Sequence, residues 1–148
     1  MGNRCATARR PAHGRIIFRS MDTAKLADIR MRLLRLHRAL LDAEKIEHER
    51  AHGAITPAAF LQLLIGDPRF GWLSALSELI VQFDDAVLPA RTRRDPPPTP
   101  DVPALLERVR TILTGGVPAF RGRFDTLAAS RPALVEMSAS TLTAVDEY

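Results

Sequence analysis

Apolar residues recur every three or four positions along most of the chain, which is the spacing of one face of an α-helix. The longest such pattern covers residues 23–52 and contains Leu26, Ile29, Leu33, Leu36, Leu40 and Ala43. Asp22 or Thr23 can cap its beginning, and Gly53 is the residue type expected just after a helix ends. We therefore predict a long first helix that buries these six residues.

Shorter helices are predicted after it. Thr56-Pro57 and Asp67-Pro68 each place a capping side chain before a proline, which is favoured at the first position of a helix. These signals and the apolar spacing predict helices over residues 57–65, 68–88, 101–114, 117–130 and 132–147. Only "RIIF", residues 15–18, hints at a strand. The predicted fold is an all-α bundle of about five or six helices.

Two segments do not follow this pattern. Residues 1–20 contain five arginines and no acidic residue, and we expect them to form a disordered basic tail before a single helical domain, residues 21–148. Either Met1 or Met21 could be the natural start. The stretch "PARTRRDPPPTPDVP" holds six of the eleven prolines, so residues 89–100 are predicted to form an extended linker in the middle of the bundle. A docking site for a proline-reading partner is the alternative.

Composition and charge narrow the class of protein. Hydrophobic residues make up 46% of the 148, which is enough for a substantial core. The tail contributes +5 to the net charge of +4, so the remaining chain is close to neutral. Nucleic-acid binding through the tail is therefore only a second alternative. Because Cys5 has no partner and no apolar run could span a membrane, we expect a soluble cytoplasmic protein.

The first half of the chain carries a family resemblance. The segments "LHRALLDAEKIEHERAHG" (36–53) and "FLQLLIGDPRFGWLSALSELIVQFDD" (60–85) resemble small bacterial all-helical proteins of uncharacterised function. The resemblance covers residues 22–88, and the second half more loosely. It implies a compact helical protein and carries over no activity, cofactor or site residue.

One pentapeptide matches a catalytic motif. His48-Glu49-Arg50-Ala51-His52 reads H-E-x-x-H, in which two histidines on one helix face bind zinc and the glutamate activates the zinc-bound water. A zinc-dependent hydrolase using His48, His52 and Glu49 is therefore the first alternative function. The only well-spaced third ligand is Glu78, and its position opposite the apolar stripe of its own helix predicts that it faces water.

Several features disfavour a metal centre. Arg50 places a charge between Glu49 and His52, Gly53 ends the helix, and no edge strand is predicted to align a substrate. The letters Glu49-x-x-His52 also fit a ferritin-like di-iron helix, but that site needs a second such motif, and the remaining histidines supply none. Positive charge near a helix C-terminus and surface ion pairing explain most of the pentapeptide. We predict no catalytic, cofactor-binding or metal-binding residue, and no cofactor.

The interpretation we favour is a non-enzymatic module for protein–protein interaction or regulation. Arginines in the first half of helix 1 and glutamates in its second half could pair across an antiparallel homodimer, although intrahelical pairs such as Asp28–Arg32 and Arg38–Asp42 explain them more simply. His37 is predicted to be a packed, hydrogen-bonded histidine. Glu44, Glu47 and His48 lie on the apolar side of helix 1, and the sequence leaves open whether they face a partner.

Overall fold

Six α-helices and one 3-10 helix form the part of the chain that the computed structural model describes, residues 13–88 and 100–148, with side chains from residue 21. They are α1 (His13–His52), α2 (Pro57–Gly66), the 3-10 helix (Pro68–Leu73), α3 (Ser74–Val87), α4 (Val102–Leu113), α5 (Pro118–Ala128) and α6 (Pro132–Asp146). No strand occurs in these ranges, so the prediction of an all-α bundle is confirmed. Residues 1–12 of the predicted tail and 89–99 of the predicted linker lie outside the described residues.

The first helix is longer than predicted. It begins at His13 rather than at residue 23, so it includes residues 15–18, where the sequence hinted at a strand. Between His13 and Thr23 the sequence contains no proline, and Asp22 and Thr23 lie inside the helix instead of capping it. A helix already anchored by packing continues in both directions until a residue stops it, because each added residue gains a backbone hydrogen bond.

The helix predicted over residues 68–88 divides into two elements. Pro68–Leu73 forms a 3-10 helix, and α3 begins only at Ser74. Phe70 and Trp72 pack in different directions, Phe70 edge-on against Phe60 and Trp72 against Phe120. The tighter winding lets both rings be buried.

Four helices pack in a ring around one core. α1 contacts α3 and α6, and α4 contacts the same two helices from the opposite side. α5 closes one end by packing on α1, α6 and the 3-10 helix. All six residues of the predicted stripe on α1 are buried. The hydrophobic spacing of helix 1 was therefore sufficient to identify its core-facing side.

Capping side chains set the helix boundaries where the sequence indicated them. Thr56 Oγ1 accepts a hydrogen bond from Ala59 N at 3.2 Å, and Asp67 Oδ1 accepts one from Arg69 N at 2.9 Å. Gly53 has a φ of 89°, a conformation that L-residues with a Cβ disfavour. Gly53 thus ends α1, and Thr56 and Asp67 cap the two elements that follow it.

Candidate functional site

Glu44 lies on the buried side of α1 and is only 4% exposed. Its Oε1 accepts hydrogen bonds from Trp72 Nε1 at 3.1 Å and from Arg123 Nε at 2.6 Å. Its Oε2 accepts a third bond from Arg123 Nη2 at 2.7 Å. We call this arrangement of Glu44, Arg123 and Trp72 the buried fork. It joins α1 to the 3-10 helix and to α5, so Glu44 faces a partner within its own chain.

The buried fork is electrostatically satisfied. A carboxylate is tolerated away from water only when hydrogen bonds and an opposite charge replace its hydration. The hydrogen bond to Glu44 raises the pKa of the Arg123 guanidinium above its ordinary value. Over the described part of the chain, no buried side-chain nitrogen or oxygen lacks a hydrogen-bond partner. This geometry is that of a structural ion pair.

Glu47 makes a second connection one helical turn further along α1. Its Oε1 accepts hydrogen bonds from Arg131 Nη2 at 2.8 Å and from Arg50 Nη1 at 3.0 Å. The hydrogen bond from Arg131 holds the pKa of Glu47 below its usual value. Because Arg131 immediately precedes α6, this contact fixes the start of α6 against the end of α1.

His48 and His52 line an open cleft of about 410 Å³ between α1, the 3-10 helix and α5. The centroids of the two rings are 4.6 Å apart, and the ring planes are inclined by 41°. Arg69 and Arg123 line the same cleft. Arg69 is bonded to Asp67 at 2.6 and 2.8 Å, and this hydrogen bond lowers the pKa of Asp67 and raises that of Arg69. We call this space the histidine cleft.

The structure does not assemble the ligands that the zinc hypothesis requires. Glu49 Oε1 accepts a hydrogen bond from Ile55 N at 3.3 Å and lies 3.6 Å from Lys45 Nζ. The carboxylate that the zinc hypothesis assigns as general base is therefore already engaged. Glu78 is exposed and lines a different cleft, together with His37. Among the described residues, no three His, Cys, Asp or Glu side chains are grouped so that they could hold a metal ion.

His37 is the half-buried, hydrogen-bonded histidine that the sequence predicts. Its Nε2 lies 2.9 Å from Ser77 Oγ, and Ser77 Oγ donates its own hydrogen to Leu73 O at 3.1 Å. Since the hydroxyl has only one hydrogen to donate, His37 Nε2 carries the proton and donates it to Ser77. Burial lowers the pKa of His37 from 6.5, which favours this neutral form.

A second feature of the surface is α2, which is almost entirely apolar and packs only lightly on the bundle. Phe60 is its one buried side chain, whereas Leu61 is 54% exposed and Ile65 is 74% exposed. Two clefts, of about 450 and 270 Å³, border α1 and α2, and both are lined by Leu41, Leu61 and Leu64. The larger one also extends along the 3-10 helix and α3. We call these two clefts together the α1–α2 groove. Each helix in the described part of the chain is too short or too polar to cross a membrane.

Comparisons with protein-family models, curated proteins and solved structures gave no match for this chain. The resemblance to small bacterial helical proteins therefore stays a prediction. What the fold and the site define is the class: an all-α bundle with a buried ion-pair fork, a polar cleft and an exposed apolar helix.

The sequence did not identify the partners of Glu44 and Glu47. Arg123 nevertheless gave a signal, because it lies three residues after Phe120 and one before Phe124 and so falls on the buried side of α5. An arginine on an apolar stripe requires an acidic partner, just as a glutamate on one requires a basic partner. Glu44 and Arg123 are 79 residues apart in the sequence, and only the packing of the helices shows that they meet.

Proposed function

We propose that this protein is a non-enzymatic interaction module whose α1–α2 groove binds the same groove of a second copy. The observation that carries this proposal is the exposure of Leu61 and Ile65 on a helix with a single buried side chain. Scattered apolar residues are normal on protein surfaces. Here, however, they are neighbours on one helix face beside two apolar clefts, which is typical of a contact surface.

The shape of this surface supports pairing with itself. Leu61 and Ile65 are four residues apart, so they form a ridge along the outer side of α2. The α1–α2 groove lies next to that ridge, because Leu61 and Leu64 of the same helix line its wall. In a two-fold contact, the ridge of each copy can therefore enter the groove of the other, and the association closes at a dimer.

The charges along the rim also fit a second copy. Arg38, Asp42, Lys45 and Glu49 follow one another along α1 with alternating sign, and their side chains are 33–78% exposed. When α1 meets its copy in antiparallel orientation, Arg38 lies opposite Glu49, and Asp42 lies opposite Lys45. A rim of this kind is complementary to itself and offers no excess charge to a strongly acidic or basic partner.

This dimer differs from the one that the sequence suggested. Opposing halves of α1 would have used charges that are now engaged within the chain: Arg30 with Asp84, and Glu44 with Arg123. The intrahelical pairs Arg32–Asp28 and Arg38–Asp42, at 2.8 and 3.2 Å, are also present. The proposed contact uses α2 and the row on α1. The row's own pairs, Arg38–Asp42 and Lys45–Glu49, are exposed or partly exposed, so they are weak and can be exchanged for pairs across the contact.

Sedimentation velocity between low and high micromolar concentration tests the proposal. We expect the full chain to form a dimer, and we expect Ile65→Glu to weaken dimerisation by about tenfold or more, since it places a charge in an apolar contact. Val135→Glu is the matched control, because Val135 is 52% exposed on α6 and lines neither cleft of the groove. A strict monomer at all concentrations, or equal weakening by both variants, would refute the proposal.

Charge exchange tests the orientation of the two copies. In the antiparallel contact, Arg38→Glu places two acidic side chains opposite each other, so we expect it to weaken the dimer. The double variant Arg38→Glu/Glu49→Arg restores opposite signs across the two-fold axis and should recover much of the affinity. If the double variant is no tighter than Arg38→Glu, the proposed orientation is wrong.

A further inference from the structure

We propose that the histidine cleft binds a small oxyanion, a phosphate or carboxylate group carried by a small organic molecule. The residues of α1 that line this site differ from those that line the α1–α2 groove, and the proposal does not depend on dimerisation. Its walls come from α1, the 3-10 helix and α5.

Arginines offset the carboxylates of the cleft. Its lining contains two carboxylates, Glu44 and Glu47, and two arginines, Arg69 and Arg123, so these charges balance. Each carboxylate is paired within the chain, Glu44 with Arg123 and Glu47 with both Arg131 and Arg50. The carboxylates are also held by arginines, so their repulsion of an incoming anion is reduced.

Some residues that line this space carry hydrogen-bond donors with no acceptor among the described residues. Arg123 binds Glu44 through Nε and Nη2, and Arg69 binds Asp67 through the same two atoms, which leaves Nη1 of each guanidinium uncommitted within the described residues. The rings of His48 and His52 contact each other and make no hydrogen bond to a described protein atom. A phosphate or carboxylate accepts hydrogen bonds from guanidinium and imidazole groups together.

The size of the cleft indicates more than a free ion. At about 410 Å³ it has room for a small organic group beside the oxyanion. Ala51 and Phe70 supply apolar lining on which such a group can rest. A transition-metal ion is the competing occupant of two adjacent histidines, but it would lie near two arginines and would lack a third protein ligand within the described residues.

Titration of the full chain followed by NMR of the histidine ring protons, with isothermal calorimetry, tests the site. The probes are inorganic phosphate and phenyl phosphate. We expect both to shift the His48 and His52 resonances, and we expect Arg69→Gln to weaken their binding by about fivefold or more. Arg69 is mainly exposed, and the backbone cap that Asp67 makes is retained, so this variant should stay folded. We expect phenyl phosphate to bind more tightly than inorganic phosphate, and equal binding of the two would contradict the organic part of the proposal.

The matched control is Arg50→Gln, which removes the same charge from the same end of the molecule but does not line the cleft. It should leave phosphate binding within about twofold of the unmodified protein, because surface charges act weakly at a distance in salt. The proposal is overturned if neither probe shifts the histidine resonances, or if Arg50→Gln weakens binding as much as Arg69→Gln. Stoichiometric zinc or nickel binding at His48 and His52, without any effect of phosphate, would also overturn it.

Discussion

Replacing Arg123 by methionine tests how much the buried fork stabilises the fold. The change keeps most of the aliphatic side chain and removes the charge, so Glu44 loses two of its three donors. Removing one member of a fully buried ion pair costs about 3–5 kcal/mol. The Arg123 side chain is 36% exposed, so water can reach the vacated position in part. We therefore expect the free energy of unfolding to fall by about 2–3 kcal/mol.

Urea unfolding followed by circular dichroism measures this loss, and thermal unfolding should show a melting temperature lower by about 4–12 °C. Arg121→Met is the matched control on the same helix. Arg121 pairs with Asp125 at 2.8 Å, but both side chains are half exposed, so the change should cost less than about 0.5 kcal/mol. Equal losses for Arg123→Met and Arg121→Met would refute the reasoning.

A second substitution separates the effect of the charge from the effect of packing. In Glu44→Gln/Arg123→Met, the buried charge is gone, while the glutamine oxygen still accepts from Trp72 Nε1. We expect this double variant to be about 1–2 kcal/mol more stable than Arg123→Met alone, because no uncompensated carboxylate is left in the core. A further loss of stability on adding Glu44→Gln would show that the cost of Arg123→Met comes from packing instead.

Two further predictions concern pH and backbone conformation. Because burial lowers the pKa of His37, this side chain is protonated at a higher pH in the unfolded chain than in the folded chain. The contribution of His37 to the free energy of unfolding should therefore be constant above pH 6.5. It should decrease as the pH falls from 6.5 toward the lowered pKa of the folded state. His37→Gln should remove this slope when the free energy of unfolding is measured from pH 7.5 to 5. Gly53→Ala should lower the free energy of unfolding by about 1–2 kcal/mol, because a residue with a Cβ is strained at a φ of 89° even though the Cβ would meet no atom. Gly122→Ala inside α5 should raise it by about 0.5–1 kcal/mol, because alanine favours the helix and its Cβ has room.

Each of these two predictions has an outcome that contradicts it. The same pH slope in His37→Gln and in the unmodified protein would assign the effect to other groups. A stabilising Gly53→Ala would mean that the chain after α1 does not need the positive φ that ends the helix.

Much of the fold could be predicted from local signals. The spacing of Leu33, Leu36 and Leu40 identified the buried side of α1, and Thr56 and Asp67 marked the starts of the next elements. For α4, α5 and α6, the predicted limits lie within two residues of those observed. These features depend on residues a few positions apart, so a linear sequence records them.

The parts that could not be predicted depend on contacts between distant residues. The 3-10 helix exists because Phe70 and Trp72 pack against Phe60 and Phe120, and no local pattern specifies those partners. The same holds for the polar face at the end of α1. The sequence showed that Glu44 lies on an apolar stripe, but its meaning depends on Arg123, which belongs to the other half of the chain.

The position of the buried fork in the sequence makes the two halves of the chain dependent on each other. Glu44 and Trp72 precede the proline-rich stretch, and Arg123 follows it. A fragment ending before residue 89 would hold a carboxylate on its apolar face without its cation, and a fragment beginning after it would hold the cation without the carboxylate. Each half is therefore poorly suited to fold by itself, and mixing the two fragments should restore structure that neither shows alone. The ion pair between Glu44 of α1 and Arg123 of α5 thus forms only when both halves of the chain are present.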